Sequence, residues 1–245
     1  MPKFGIMSDI HSNLAALTEA LSIFQQHRVD RIYCIGDIVG YGTEPEECCT
    51  LVRAAADAVV AGNHDLAVCN RIDYLPIFSP AAIVGVQYSK KFLMDSSVEW
   101  LCDLPLTYED AWLQMAHGSL EQPDQFYYLR NSGSPDKDII YQEVALTFDR
   151  MTRPACFVGH THEPLMYIEE CRGRIATLAP SREAFCLGGR RAVINAGSIG
   201  TPRGRDKRGC AVIYDSDRNT ILFENFSVSP SSIPEWIARA LDWPE

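Results

Sequence analysis

Five of the six histidines in this 245-residue chain lie in short polar motifs, each opening a loop after an apolar, strand-like run. The motifs are Asp9-Ile10-His11, Gly36-Asp37, Gly62-Asn63-His64-Asp65, His117 and Gly159-His160-Thr161-His162. Taken singly, an Asp beside Gly reads as a turn former, and a lone His as a hydrogen-bonded core or surface residue. Taken together, carboxylates, an amide and imidazoles converging from several strand ends make a site for two divalent metal ions. The chemistry such a site performs is attack of metal-activated water on a phosphorus ester. Mixed oxygen and nitrogen ligation without thiolate suits Mn²⁺, Fe²⁺, Co²⁺, Ni²⁺ or Zn²⁺.

The spacing gives more detailed expectations. Asp9 and His11 are one residue apart, and an extended backbone would point both side chains to one side, toward a single ion. Asp37 can bridge two ions, one oxygen to each. Asn63 offers a neutral oxygen, and Asp65 is placed to fix the tautomer of His64 and raise its basicity. His160 and His162 repeat the one-apart spacing. His27 falls near the end of an expected helix and is given no function.

The elements that must position these residues follow from periodicity. Residues 3–9, 31–36 and 57–61 read as strands, and 13–27 and 45–56 as helices, so the chain opens β-α-β-α-β with reactive residues at the carboxyl ends of the strands. Residues 79–102 read as helical, 111–116 as a strand, 118–138 as a long irregular loop, 140–151 as a helix and 155–158 as a strand. From 164 onward, short runs at 164–171, 174–179, 191–196, 209–215 and 220–227 read as antiparallel strands, and 233–241 as a closing helix. No repeat or linker divides the chain, so residues 1–245 are expected to form a single α/β domain of two facing sheets with helices outside.

With the motifs in this order, the sequence resembles the calcineurin-like metallophosphoesterases, whose pattern D-x-H, GD, GNH[DE], H, GH-x-H is matched without a missing ligand. The segments GDIVGYG, HGS and NAGS (195–198) resemble the small bacterial and archaeal branch. The resemblance implies a four-layer α-β-β-α sandwich of two mixed sheets. It assigns Asp9, His11 and His162 to one metal and Asn63, His117 and His160 to a second, with Asp37 bridging. It makes His64 the residue that contacts the phosphoryl oxygen or protonates the leaving group, with Asp65 orienting it. Mn²⁺ is the expected metal on the same ground.

Composition limits the partners. The formal net charge is −10, and the densest basic stretch is Arg203–Arg208, which argues against DNA or RNA as a partner. The nine cysteines include no C-x-x-C pair and read as free thiols. With no leader-like or membrane-spanning apolar run, the chain is expected to be cytoplasmic. Arg203 and Arg205, in a turn-rich loop, read equally as anion ligands and as surface charges. Tyr41 either stacks on a substrate ring or packs on its turn. The Phe126-Tyr127-Tyr128 cluster reads as core or interface in preference to a base platform. Apolar side chains in 79–102 are candidates for a homodimer face. The expected substrate is a small soluble phosphate ester: a phosphodiester, a dinucleoside polyphosphate or a phosphomonoester. The alternative is a non-catalytic protein-binding scaffold on the same fold.

Overall fold

Alternation along the strands sorts side chains into three apolar layers. In β1 (Lys3–Met7), Phe4 and Ile6 face one way and Met7 the other; in β2 (Arg31–Cys34), Tyr33 and Cys34 divide likewise. The computed structural model describes residues 1–129, 137–170, 174–204 and 206–228. Arg205 and the expected closing helix at 233–241 lie outside them.

The first sheet places β1 beside β2, and β2 beside β3 (Ala58–Val59), all parallel. On its other edge, β1 pairs antiparallel with β11 (Gly209–Asp215), followed by β12 (Thr220–Phe226) and β9 (Phe185–Cys186). The second sheet runs β4 (Thr107–Glu109), β5 (Leu113–Ala116), β6 (Ala155–Val158), β10 (Ala192–Asn195), β7 (Leu165–Glu169), β8 (Ile175–Leu178). Here β5, β6 and β10 are parallel. The late strands are therefore not uniformly antiparallel as expected, because β10 inserts between β6 and β7 and runs with the former.

Between the sheets lie Phe4, Ile6, Tyr33, Phe157, Ile194 and Val212, all fully buried. Outside the first sheet, Leu17, Ala20 and Phe24 of α1 (Leu14–Gln26) share a buried cluster with Met7, Cys34, Ala211 and Ile213. Outside the second, Val144 and Phe148 of α6 (Lys137–Arg150) share one with Cys156, Val158 and Val193. Four layers, α-β-β-α, result. Asn13 caps α1 by accepting from the Ala16 N–H at 3.1 Å. Pro45 opens α2 (Pro45–Ala55), where its missing N–H costs nothing.

The helical stretch expected at 79–102 is broken into α4 (Pro80–Phe92) and α5 (Asp95–Cys102) by extended Leu93 and Met94. Val84, Phe92 and Met94 stand exposed there. A short helix, α3 (Asn63–Val68), begins at the Asn63 motif itself, and every one of its six residues is buried. Among the described residues, no helix is long and apolar enough to cross a membrane.

Candidate metal centre

The donors collect where the parallel strands of both sheets end. β1 leads to Asp9 and His11, β2 to Asp37 and β3 to Asn63; from the facing sheet, β5 leads to His117 and β6 to His160 and His162. Backbone hydrogen bonds stitch these loops together, including His11 N–H to the Asp37 carbonyl at 3.0 Å and Gly159 N–H to the His117 carbonyl at 2.9 Å.

The expected extended geometry at Asp9 and His11 is not what brings them together. Asp9, His11, Asp37, His160 and His162 all have positive φ, between 51° and 67°. Left-handed backbone costs a non-glycine residue roughly 1–2 kcal/mol, and five such residues in one cluster mark a site whose geometry the surrounding hydrogen bonds impose. The glycines allow close approach. A Cβ at Gly62 would collide with the Asp37 carboxylate, and one at Gly40 with the His64 ring.

Two groups of donor atoms form, each within 4.8 Å: Asp9, His11, Asp37 and His162, and Asp37, His117 and His160. Asp37 belongs to both. Its Oδ1 accepts the His64 N–H at 2.8 Å. Its Oδ2 lies 3.6 Å from His11 Nε2 and 3.4 Å from His117 Nε2. Oδ2 thus lies near imidazoles of both groups. The Asn63 carboxamide oxygen is buried without a hydrogen-bond partner.

The imidazoles are oriented from behind. His11 Nδ1 donates to the Val39 carbonyl (3.1 Å), His117 Nδ1 to Ile35 (2.6 Å) and His162 Nδ1 to Thr201 (2.6 Å). This fixes a proton on Nδ1 and turns each Nε2 inward. His162 Nε2 then sits 3.1 Å from Asp9 Oδ1 and 3.1 Å from His11 Nε2. Two imine nitrogens that close repel unless a cation lies between them. Together with the unpartnered Asn63 oxygen and His117 Nε2, this donor set fits divalent ions.

Asp65 does not meet the expectation of holding His64. Its Oδ1 accepts the N–H groups of Ile38 (2.9 Å) and Val39 (3.3 Å), and its Oδ2 accepts Gly62 N–H at 2.9 Å. Both oxygens are committed to backbone donors, and His64 Nδ1 is not among their partners. Asp65 instead clips the start of α3 to the loop after β2. His64 Nδ1 is buried against Gly40 without a partner.

Charge is divided unevenly. Burial alone would push the His117 imidazole down, but the carboxylates of Asp37 and Asp9 hold it at about 10. Burial, aided by the charges of His117 and of Arg203 respectively, lowers His160 to about 3 and His162 to about 4. Burial also keeps His64 neutral. Asp9 and Asp37 stay ionised because the imidazoles outweigh burial. Burial and the charge of Asp37 raise Asp65 to about 7.

Of the other residues singled out from the sequence, Arg203 and Tyr41 reach the site. Arg203 Nη2 donates to the Tyr41 hydroxyl at 3.2 Å, and the Tyr41 ring packs on His11 and His64 at 4.7 and 4.9 Å. The aromatic cluster is not plain core: Phe126, Tyr127 and Tyr128 line the cavity over the donors. Several supporting residues escape a reading of the sequence. Asn195 Nδ2 donates to the Gly159 carbonyl (2.8 Å), Ser198 Oγ to the Asp9 carbonyl (2.7 Å), and Ser8 Oγ to Asp9 Oδ2 (2.5 Å). Asn195 and Ser198 belong to the NAGS segment, which gave them no role, and nothing in the sequence marks Ser8.

Residues 3–219 match the calcineurin-like phosphoesterase superfamily domain. An uncharacterised protein of Methanocaldococcus jannaschii is 28% identical over 250 residues, covering 97% of this chain and 96% of that protein. The crystal structure of a metallophosphoesterase from Sphaerobacter thermophilus superposes with a TM-score of 0.79 at 34% identity, over 100% of this chain and 95% of that one. A hypothetical protein from Pyrococcus horikoshii shares the fold, with a TM-score of 0.72 at 19% identity over 100% and 95% of the two chains. On its motifs, its donor geometry and this match, the chain belongs to the calcineurin-like phosphoesterase superfamily.

Proposed function

We propose that the chain hydrolyses a small phosphate ester with two divalent ions held by its own side chains. Asp9, His11 and His162 would hold one, Asn63, His117 and His160 the other, with Asp37 common to both. The observation that carries this reading is the pair of buried donor groups meeting at one carboxylate. When bound, the ions would polarise a phosphoryl oxygen and lower the pKa of a water between them. Mn²⁺ is the metal we expect.

The remaining chemistry belongs to the chain. With Nδ1 of His64 buried without a partner, a bare imine there costs less than an unsatisfied N–H. The proton therefore sits on Nε2, on the cavity side. A neutral imidazole so protonated donates a hydrogen bond to a phosphoryl oxygen, where charge develops. We favour this over protonation of the leaving group, because His64 is held neutral. Hydrolysis adds one water: its oxygen joins phosphorus, the P–O ester bond breaks, and the departing oxygen takes up a proton. Asp65 acts by positioning, holding α3 so that Asn63 and His64 face Asp37. The buried free thiols Cys34, Cys156 and Cys210 suit a reducing, cytoplasmic location.

The test is turnover of p-nitrophenyl phosphate and its bis ester with added Mn²⁺. His64→Ala should keep the metal content and lose about 10²–10⁴ in rate. Absence of metal-dependent turnover for both esters would favour a protein-binding scaffold.

A further inference from the structure

Asp37, Asn63, His160 and His162 of the donor cluster, with His64, line the floor of a cavity of about 740 Å³. Pockets for whole small molecules span roughly 300–1,000 Å³, so the space far exceeds what a phosphoryl group fills. Two apolar walls rise from separate stretches of chain. Ile77 and Phe78, between α3 and α4, form one; Phe126 and Tyr128, after His117, form the other. Both reach the donors: the Phe78 ring lies 4.7 Å from His64, and that of Tyr128 4.0 Å from His160. Ile77 is 69% exposed and Tyr128 44% exposed, so apolar surface stands open beside a polar floor.

Arg203 completes the arrangement. Its guanidinium is held by the Tyr41 hydroxyl, and its charge is felt at both His64 and His162. The Tyr128 hydroxyl also bonds to it and the charge of Asp9 acts on it, but among the described residues no carboxylate lies within ion-pair distance of it. A partly buried guanidinium without a direct ion pair favours an anion in the cavity. Apolar rings on two sides, with a cation and phosphoryl-binding groups below, call for a ligand with a flat apolar body joined to a phosphate. A polyol phosphate would instead leave its hydroxyls against the walls without partners.

Resting on the phosphoesterase reading above, we propose that the substrate is an aromatic phosphate ester. Its ring, the size of an aryl group or a nucleobase, lies between the Phe78 and Tyr128 walls, and Arg203 holds an anionic phosphate oxygen. Phe78 and Tyr128 determine specificity; Arg203 determines affinity for the phosphate.

Calorimetric binding of phenyl phosphate, adenosine 5′-monophosphate and glycerol 3-phosphate to the Mn²⁺-loaded and the chelator-treated protein tests this. The two aromatic ligands should bind at least about tenfold tighter than glycerol 3-phosphate, as ring burial of a few kcal/mol allows. Phe78→Ala and Tyr128→Ala should each cut that preference about three- to tenfold with metal content retained. Arg203→Met should weaken all three ligands alike. Tighter binding of the nucleotide than of phenyl phosphate would assign the ring to a nucleobase, and parity would assign it to aryl groups in general. Equal affinity for all three ligands, or a preference unchanged by both wall variants, would overturn the proposal. If that came with metal-dependent hydrolysis of glycerol and aryl esters alike, the phosphoesterase reading would stand. Tight aromatic binding without hydrolysis of any ester would sink that reading instead and leave the pocket's preference intact.

Discussion

At the scale of single residues, the two nitrogens of each imidazole divide the work. In His11, His117 and His162, Nδ1 is spent on a backbone carbonyl and Nε2 is presented to the cluster. The sequence motifs reveal which residues are donors but not this division, because the carbonyls of Val39, Ile35 and Thr201 come from other loops. Against burial, Asp37 and Asp9 push His117 up to about 10. It therefore carries an extra proton at pH 7.5 in the metal-free protein, and a nitrogen cannot bind both a proton and a metal. Metal loading at pH 7.5 should release that proton. Titration calorimetry in buffers of different ionisation enthalpy will read it, and His117→Gln should release fewer protons. Equal release by wild type and variant would remove His117 from the ligand set.

At the scale of elements, the least legible piece is the one that matters most. The six buried residues of α3 show no helical period, since all sides are covered. The long amphipathic α1 and the alternating strands are readable because each has one face in water or against a different layer. The parallel insertion of β10 was hidden because its run 192–195 is buried on both faces and carries no sign of direction. The placement of Asp9 and His11 by left-handed backbone was hidden for a similar reason. Neither residue type demands positive φ, and only the mesh of loops enforces it.

What fixes α3 is Asp65, which accepts three backbone N–H groups. Asp65→Ala should destabilise the protein by on the order of 3 kcal/mol, through N–H groups buried without acceptors. Because α3 carries Asn63, it should also weaken metal binding. Urea unfolding and metal titration measure both effects. A variant as stable as wild type, with normal metal affinity, would show that α3 is held by packing alone.

At the scale of the whole molecule, two sheets contribute donors to one cluster, so folding must bury opposed charges together. In the metal-free protein, His160 and His162 have folded values of about 3 and 4, below the ordinary histidine value of 6.5. Such groups contribute stability that is complete above pH 6.5 and lost as pH falls toward their folded values. His64 acts in the same direction. Asp65, raised to about 7, acts oppositely and loses its contribution as pH rises through 7. Three imidazoles outweigh one carboxylate. The melting temperature of the chelator-treated protein should therefore fall steadily from pH 6.5 to pH 4. A flat or rising profile over that window would contradict the burial of neutral histidines.

Motif order singles out the candidate donors, and the layered fold is legible from periodicity. The cavity walls are not, because Phe78 and Tyr128 lie about fifty residues apart with nothing in sequence to pair them. A ligand held by these walls is hydrolysed only if the floor binds metal. Elemental analysis of the protein after chelation, reconstitution with Mn²⁺ and removal of free ions measures this most directly. Two ions per chain are expected, with a clear loss in Asp37→Asn, where a neutral amide replaces the carboxylate common to both donor groups. A stoichiometry of zero, or full loading of both positions in Asp37→Asn, would contradict a centre built around that shared carboxylate.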